Sequence, residues 1–190
     1  GVFHRMIQTI DGLLPDTDYE IMLVRANEAS ETVTFHTEPE PITLNVRDFG
    51  AFGDGAHDDT SAIQAAILCC PKNARVLISK GTYLVTALFL KSDMILELQE
   101  NAVLAGIYDR ARTPILPGQI EYDNEDGYYN LGSWEGNPID SFASMITGIH
   151  VKNVTICGKG VLDGRADFEN WWSRPKDKIR AWRPRMIFLN

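Results

Sequence analysis

The stretch from Trp171 to Arg185 gathers the residues best suited to gripping an anion. Residues 174–185 hold Arg174, Lys176, Lys178, Arg180, Arg183 and Arg185 against Asp177 alone, a local charge of +5 in a chain of net charge −8. The remainder therefore carries −13. Positive charge concentrated in this way draws a polyanion to one place while the rest of the surface repels it. A guanidinium can also hold a carboxylate through two parallel hydrogen bonds. Trp171, Trp172 and Trp182 add flat apolar faces beside the strip, and Trp134 with Glu135 sits in a second Gly- and Asn-rich stretch. The plainer readings are a solvated loop whose tryptophans pack on the body of the protein, and a Trp–Glu pair that only packs a loop.

Other clusters point to structure more than chemistry. Gly53-Asp-Gly-Ala-His-Asp-Asp59 misses the spacing of an EF-hand calcium loop and reads as a tight turn before a helix. Glu121-Tyr-Asp-Asn-Glu-Asp126 reads as a solvated acidic loop, and His57 and His150 have no ligand partner at metal spacing. Asn153-Val-Thr155 is a glycosylation sequon whose asparagine falls at a strand edge. The cysteines, Cys69, Cys70 and Cys157, are too few for a disulfide framework and too irregular for zinc. Cys69 and Cys70 read as helix packing residues.

The 190 residues are 44% hydrophobic and 23% charged, as globular chains are. No apolar run approaches the roughly 18 residues of a membrane helix, and the start lacks a basic-then-apolar signal pattern. The acidic balance argues against nucleic acid or anionic lipid as a general partner.

The chain divides near residue 40. Tyr19–Val24 and Glu31–Thr37 read as strands, the second from its strict alternation, with 26–31 as the hairpin loop between them. Glu38-Pro-Glu-Pro41 reads as a stiff, solvated linker. After residue 42 come short apolar runs: Arg75–Ser79, Thr82–Val85, Ala87–Leu90, Met94–Leu98, Val103–Leu104, Met145–Thr147, Val154–Ile156, Val161–Leu162 and Met186–Leu189. Met94-x-Leu96 followed by Val103-Leu-Ala-Gly106 is echoed by Val154-x-Ile156 followed by Val161-Leu-Asp-Gly164. Such a unit cannot bury its own inner face, so the echo predicts stacked rungs. Ahead of them Ile63, Ala66, Ile67 and Cys70 follow helical spacing, with a capping-box pattern at Ser61 and Gln64 and a stop at Pro71. A helix there would cover the open end of a solenoid.

Leu13-x-Pro15-x-Thr17-x-Tyr19 resembles the tyrosine corner of fibronectin type III modules, over about residues 7–37. Val46-Arg-Asp-Phe-Gly-Ala-Phe-Gly-Asp-Gly-Ala-His-Asp-Asp-Thr-Ser-Ala-Ile-Gln-Ala-Ala66 resembles the first turn and capping helix of pectin-degrading right-handed parallel β-helices. Gly81–Gly106, Trp134-Glu-Gly136, Val151–Gly164 with Trp171-Trp172, and Arg183-Pro-Arg-Met-Ile-Phe-Leu-Asn190 together resemble glycoside hydrolase family 28. Ser133 departs from the Arg that some members carry before Trp-Glu-Gly.

The resemblance implies an all-β chain: part of a β-sandwich over 1–38, a linker over 39–42, and the N-terminal rungs of a parallel β-helix over 43–190. It implies hydrolysis of α-1,4 bonds between galacturonic acid units with inversion, in the exo manner of the bacterial members with a fibronectin-like lead-in. The family uses no cofactor or metal and acts on an acidic polysaccharide or oligogalacturonide outside the cell or in the periplasm. Its Asn-Thr-Asp, Gly-Asp-Asp, Gly-His-Gly and Arg-Ile-Lys motifs are absent from the chain. No catalytic residue is therefore assigned within 1–190, and the acid and base are expected beyond Asn190. The isolated piece is then expected to be inactive and to aggregate through its last rung. Substrate contacts are expected at Trp134, Glu135, Arg174, Trp182 and Arg183. A calcium-dependent lyase on the same scaffold and a non-catalytic binding solenoid are the other readings.

Overall fold

The computed structural model describes residues 9–10, 12–25, 28–121 and 127–190. It falls into two compact units, Gly1–Pro41 and Ile42–Asn190. In the first, β1 (Asp18–Arg25) pairs antiparallel with β2 (Glu28–His36), from Asp18 opposite His36 to Arg25 opposite Glu28. The connection is shorter than the expected loop. Glu28, Ala29 and Ser30 belong to β2 because backbone pairing continues to Arg25, leaving two connecting residues that lie outside the described ones. The Tyr19 hydroxyl accepts from the Leu14 amide at 2.7 Å, and its ring stacks on Phe35 at 5.7 Å. Thr37 closes the same corner, its hydroxyl donating to the Leu14 carbonyl at 2.6 Å.

The second unit is a parallel β-helix. Its first rung holds β3 (Thr43–Asn45), a 3-10 turn over Val46–Phe49, β4 (Asp54–Asp58) and the helix α1 (Thr60–Cys69). The second holds β5 (Ala74–Ile78), β6 (Gly81–Val85) and β7 (Leu88–Phe89). The third begins with β8 (Met94–Leu98) and β9 (Ala102–Gly106). It then leaves the coil through β10 (Ile115–Leu116), β11 (Gln119–Glu121), β12 (Tyr128–Asn130), β13 (Ser133–Trp134), β14 (Asn137–Pro138) and β15 (Ser141–Phe142). It returns on β16 (Ile146–Gly148). The fourth runs β17 (Val154–Gly158), β18 (Val161–Asp163), a second excursion, and β19 (Ile187–Leu189).

Three parallel sheets result, in the orders β3-β5-β8-β17, β4-β6-β9-β18 and β7-β16-β19. Inward positions repeat at every second residue: Ala74, Val76 and Ile78 lie beside Met94, Leu96 and Leu98, all buried. The sequence echo is the stacking register itself, with Val154 on Met94, Ile156 on Leu96, Val161 on Val103 and Leu162 on Leu104. No strand here buries a core alone. Each large inward side chain contributes about 1.5–3 kcal/mol only once a neighbouring rung covers it.

Helix α1 closes the first end, with Ile63, Ala66 and Ile67 fully buried in the same core as Val46 and Tyr83. It ends where expected. Cys70 is extended at φ −60°, ψ 122°, as a residue before proline must be, and Pro71 follows. The capping box does not form, because Ser61 lies inside the helix and Gln64 is engaged elsewhere. Its amide donates to the Phe89 carbonyl and accepts from the Phe89 amide, both at 2.8 Å. Asp58 instead accepts from the Thr60 amide at 2.9 Å. Cys70 packs in the core as expected, but Cys69 faces solvent, since adjacent helical positions point about 100° apart.

Candidate functional site

Both excursions leave the coil at the same corner, between the second and third sheets. Residues 107–145 depart after β9 and residues 164–186 after β18, so they lie one above the other. Their backbones are stitched together: Phe142 N–H donates to the Trp182 carbonyl at 2.8 Å, and Trp182 N–H donates to the Asp140 carbonyl at 3.0 Å. Arg110 ties them again from the first excursion. Its guanidinium donates to the carbonyls of Asn170 and Trp171, each at 3.1 Å, and its own carbonyl accepts from Arg180 at 2.6 Å.

The tryptophans take separate roles. Trp171 is buried, edge-on to Phe142 at 5.1 Å, with the Arg110 guanidinium 4.6 Å above its ring. It is a core residue and offers no open face, contrary to the sequence reading, because the stacked excursions close over it. Trp172 faces outward, and the Arg183 guanidinium lies 4.2 Å from its ring centroid. Trp182 is half-buried and stacks nearly parallel on the exposed Trp134, with centroids 6.1 Å apart and planes 9° apart.

Between the excursions lies a cleft of about 150 Å³, whose walls include Thr86, Gly106, Trp172, Arg183 and Arg185. Its electrostatics are positive. Burial, and then the charges of Arg183 and Arg174, push the Arg110 guanidinium below its ordinary range, although an arginine stays protonated throughout. Arg174 meets Asp177 only at 3.7 Å, on the surface, so the cluster is weakly neutralised.

Four of the five expected contact residues thus come together: Trp134 against Trp182, Arg183 next in the chain and over Trp172, and Arg174 within electrostatic reach of Arg110. Glu135 does not join them. It stands exposed at the turn between β13 and β14 with φ +50°, and its carboxylate has no partner among the described residues. Arg110 escaped the sequence reading. It lies 60 residues from the carbonyls it holds, and no local pattern marks it.

The Asp58–Asp59 pair is occupied structurally. Asp59 is buried and accepts from the amides of Phe52 at 2.6 Å and Gly53 at 3.0 Å, while Asp58 pairs with Arg112. Asp54 accepts from Ala56 N–H at 2.9 Å and His57 N–H at 3.0 Å, and these bonds hold its carboxyl well below the usual carboxylate range. The His57 ring joins it at 2.7 Å, which gives that histidine a carboxylate partner the sequence did not reveal. Gly53–Asp59 is the expected turn. Of the acidic stretch Glu121–Asp126, residues 122–126 lie outside the described residues. Asn153 sits at the foot of β17 with φ +54° and donates to Asp93 at 2.8 Å.

Residues 43–171 match the family described as rhamnogalacturonase A/epimerase, pectate lyase-like. The chain is 35% identical to the exo-poly-α-D-galacturonosidase of Dickeya chrysanthemi over 184 residues, 92% of this chain and 29% of that protein. The family 28 exopolygalacturonase of Yersinia enterocolitica superposes with a TM-score of 0.65 at 37% identity, covering 82% of this chain and 27% of that one. The hyperthermoactive exopolygalacturonase of Thermotoga maritima gives 0.56 at 31% identity, over 70% of this chain and 28% of that one. The chain spans under a third of the length of each. No helix among the described residues is long and apolar enough to cross a membrane. The chain belongs to the rhamnogalacturonase A/epimerase, pectate lyase-like family, and within that scaffold it is a glycoside hydrolase family 28 sequence.

Proposed function

We propose that the protein to which this chain belongs hydrolyses α-1,4-galacturonosidic bonds of polygalacturonate, releasing product from the chain end with inversion. The observation that carries the reading is the Arg183–Trp172 stack in a cleft enriched in arginine, set in an otherwise acidic protein. A uronate needs what this corner offers, a fixed guanidinium for its carboxylate and an apolar wall for its ring. In this role Arg183 and Arg174 take the carboxylates, Trp134 and Trp182 form an aromatic shelf, and Glu135 reaches sugar hydroxyls from its exposed turn. End-on action fits the exo-acting relatives. A polymer of this kind is met outside the cytoplasm, so the protein works secreted or in the periplasm. The Tyr19 corner supports reading the first unit as part of a fibronectin type III-like sandwich.

The test uses the full-length protein on polygalacturonate. Early products are expected to be short uronides with new reducing ends, and NMR should show the β-anomer first, as a single displacement by water requires. Unsaturated, ultraviolet-absorbing products would replace this reading with a lyase. A ladder of intermediate lengths would mean internal cleavage. Tight binding without any product would leave a binding solenoid.

A further inference from the structure

The second excursion runs out and back, and both of its legs fasten to one residue of the first, Arg110. On the outbound leg the Arg110 guanidinium donates to two successive carbonyls, those of Asn170 and Trp171, and lies over the Trp171 ring. On the return leg the Arg180 guanidinium donates to the Arg110 carbonyl. Trp172 is the next residue of the outbound leg, and Arg183 follows Arg180 on the return leg. The two partners of the stack at 4.2 Å therefore hang from the two legs that Arg110 joins.

The outbound attachment fixes direction as well as distance. A peptide unit is planar, so its carbonyl and the following amide turn together. The unit from Trp171 to Trp172 is held at both: Arg110 donates to its oxygen, and its N–H donates to the Asp167 carbonyl at 2.9 Å. The plane from which Trp172 leaves the backbone is thus set from opposite sides. Trp171 anchors the same leg, buried edge-on against Phe142. Arg110 does not itself line the cleft whose walls include Trp172 and Arg183. Its donors point at backbone carbonyls and its face lies on an indole, so its effect on a ligand passes through its neighbours.

We propose that Arg110 is a positioning residue: by joining the two legs it sets the spacing and aim of Trp172 and Arg183, and so the grip on a uronate. The inference rests on the uronate reading of that cleft and adds to it a residue that acts on the sugar only through others. Charge alone does not supply this role. Lysine keeps the charge but is a point donor on a flexible stem, and it cannot hold two carbonyls while lying flat on an indole.

The experiment measures KM and kcat of the full-length protein on polygalacturonate for Arg110→Lys, Arg183→Gln and the double variant. Arg183→Gln is expected to raise KM about tenfold, the scale of one charge-assisted contact. Arg110→Lys is expected to raise KM about fivefold with kcat within about twofold, because the groups it aims bind rather than react. In the double variant Arg110→Lys should add less than about twofold to Arg183→Gln, since a residue acting through another loses its effect once that other is gone. Arg180→Gln, an exposed change on the return leg, should show the same coupling and keeps the test decisive if Arg110→Lys does not fold. Additive effects in the double variants, or a wild-type KM in Arg110→Lys, would overturn the positioning role and leave the reading of the cleft intact. An Arg183→Gln whose KM equals that of the wild type, or a wild type that does not turn over polygalacturonate, would overturn the uronate reading and the positioning role with it.

Discussion

Three guanidiniums at one corner, Arg110, Arg174 and Arg183, repel one another; Arg174 has Asp177 near it at 3.7 Å, and the fold gives the other two neighbours that cost no charge. Arg110 has two carbonyls and the Trp171 face, and Arg183 has the Trp172 face. Stacking on aromatics keeps these groups cationic and oriented without neutralising them, whereas a salt bridge would cancel the field that recruits an acidic polymer. His36 shows the opposite device. Its Nδ1 lies 2.8 Å from Asp18 and its Nε2 3.0 Å from Asp16, with Glu38 adding a weaker charge, so its pKa is raised above the ordinary 6.5. Both nitrogens can donate only when the ring is protonated. The clip therefore stabilises the hairpin fully below pH 6.5 and is lost as the pH rises through the raised value. NMR titration of the His36 ring should give a midpoint above 6.5 that falls back in Asp18→Asn. A midpoint at 6.5 in the wild type would contradict the pairing.

Among the elements, much was legible in advance where local pattern and tertiary demand coincide. The echo of Met94–Gly106 in Val154–Gly164 became the stacking register because both are set by the same inward period. The buried face of α1 followed from its spacing for the same reason. What was hidden depends on partners distant in sequence. Ser61 and Gln64 carry a capping pattern, but the two part-buried backbone groups of Phe89 compete for Gln64 and win, since a short strand lying against the helix would otherwise leave them unsatisfied. Arg110 and the divided roles of Trp171 and Trp172 were likewise invisible, because they arise only when two excursions fold onto each other. Gln64 thus fastens the capping helix to β7. Gln64→Ala should destabilise the β-helix by about 1–3 kcal/mol, the cost of stranding such groups, read as a lower midpoint in urea. Ser61→Ala should stay within about 0.5 kcal/mol of wild type, as surface changes away from such features do.

At the scale of the molecule the two ends of the coil differ. The first is sealed by α1, whose buried Ile63 and Ile67 cover the opening rung. At the other, β17, β18 and β19 are the outermost strands of their sheets, each hydrogen-bonded on one side only. Positions better covered in earlier rungs stand open there: Val161 is 53% exposed where Val103 beside it is half-buried, and Ile187 is 39% and Leu189 49% exposed, whereas Leu88 and Ile146 in the same column as Ile187 are fully buried. Unpaired parallel edges beside exposed apolar side chains form a template for another strand, and net charge opposes association only at long range. Residues 1–190 in isolation should therefore self-associate with rising concentration, and more strongly at high salt, where the repulsion of an acidic protein is screened. Val161→Lys places a charge on that edge without touching the core. Sedimentation velocity should show it shifting the chain toward monomer at concentrations where the wild type is associated. A wild type that stays monomeric at high protein and high salt would mean that the open rung is protected by something other than another strand.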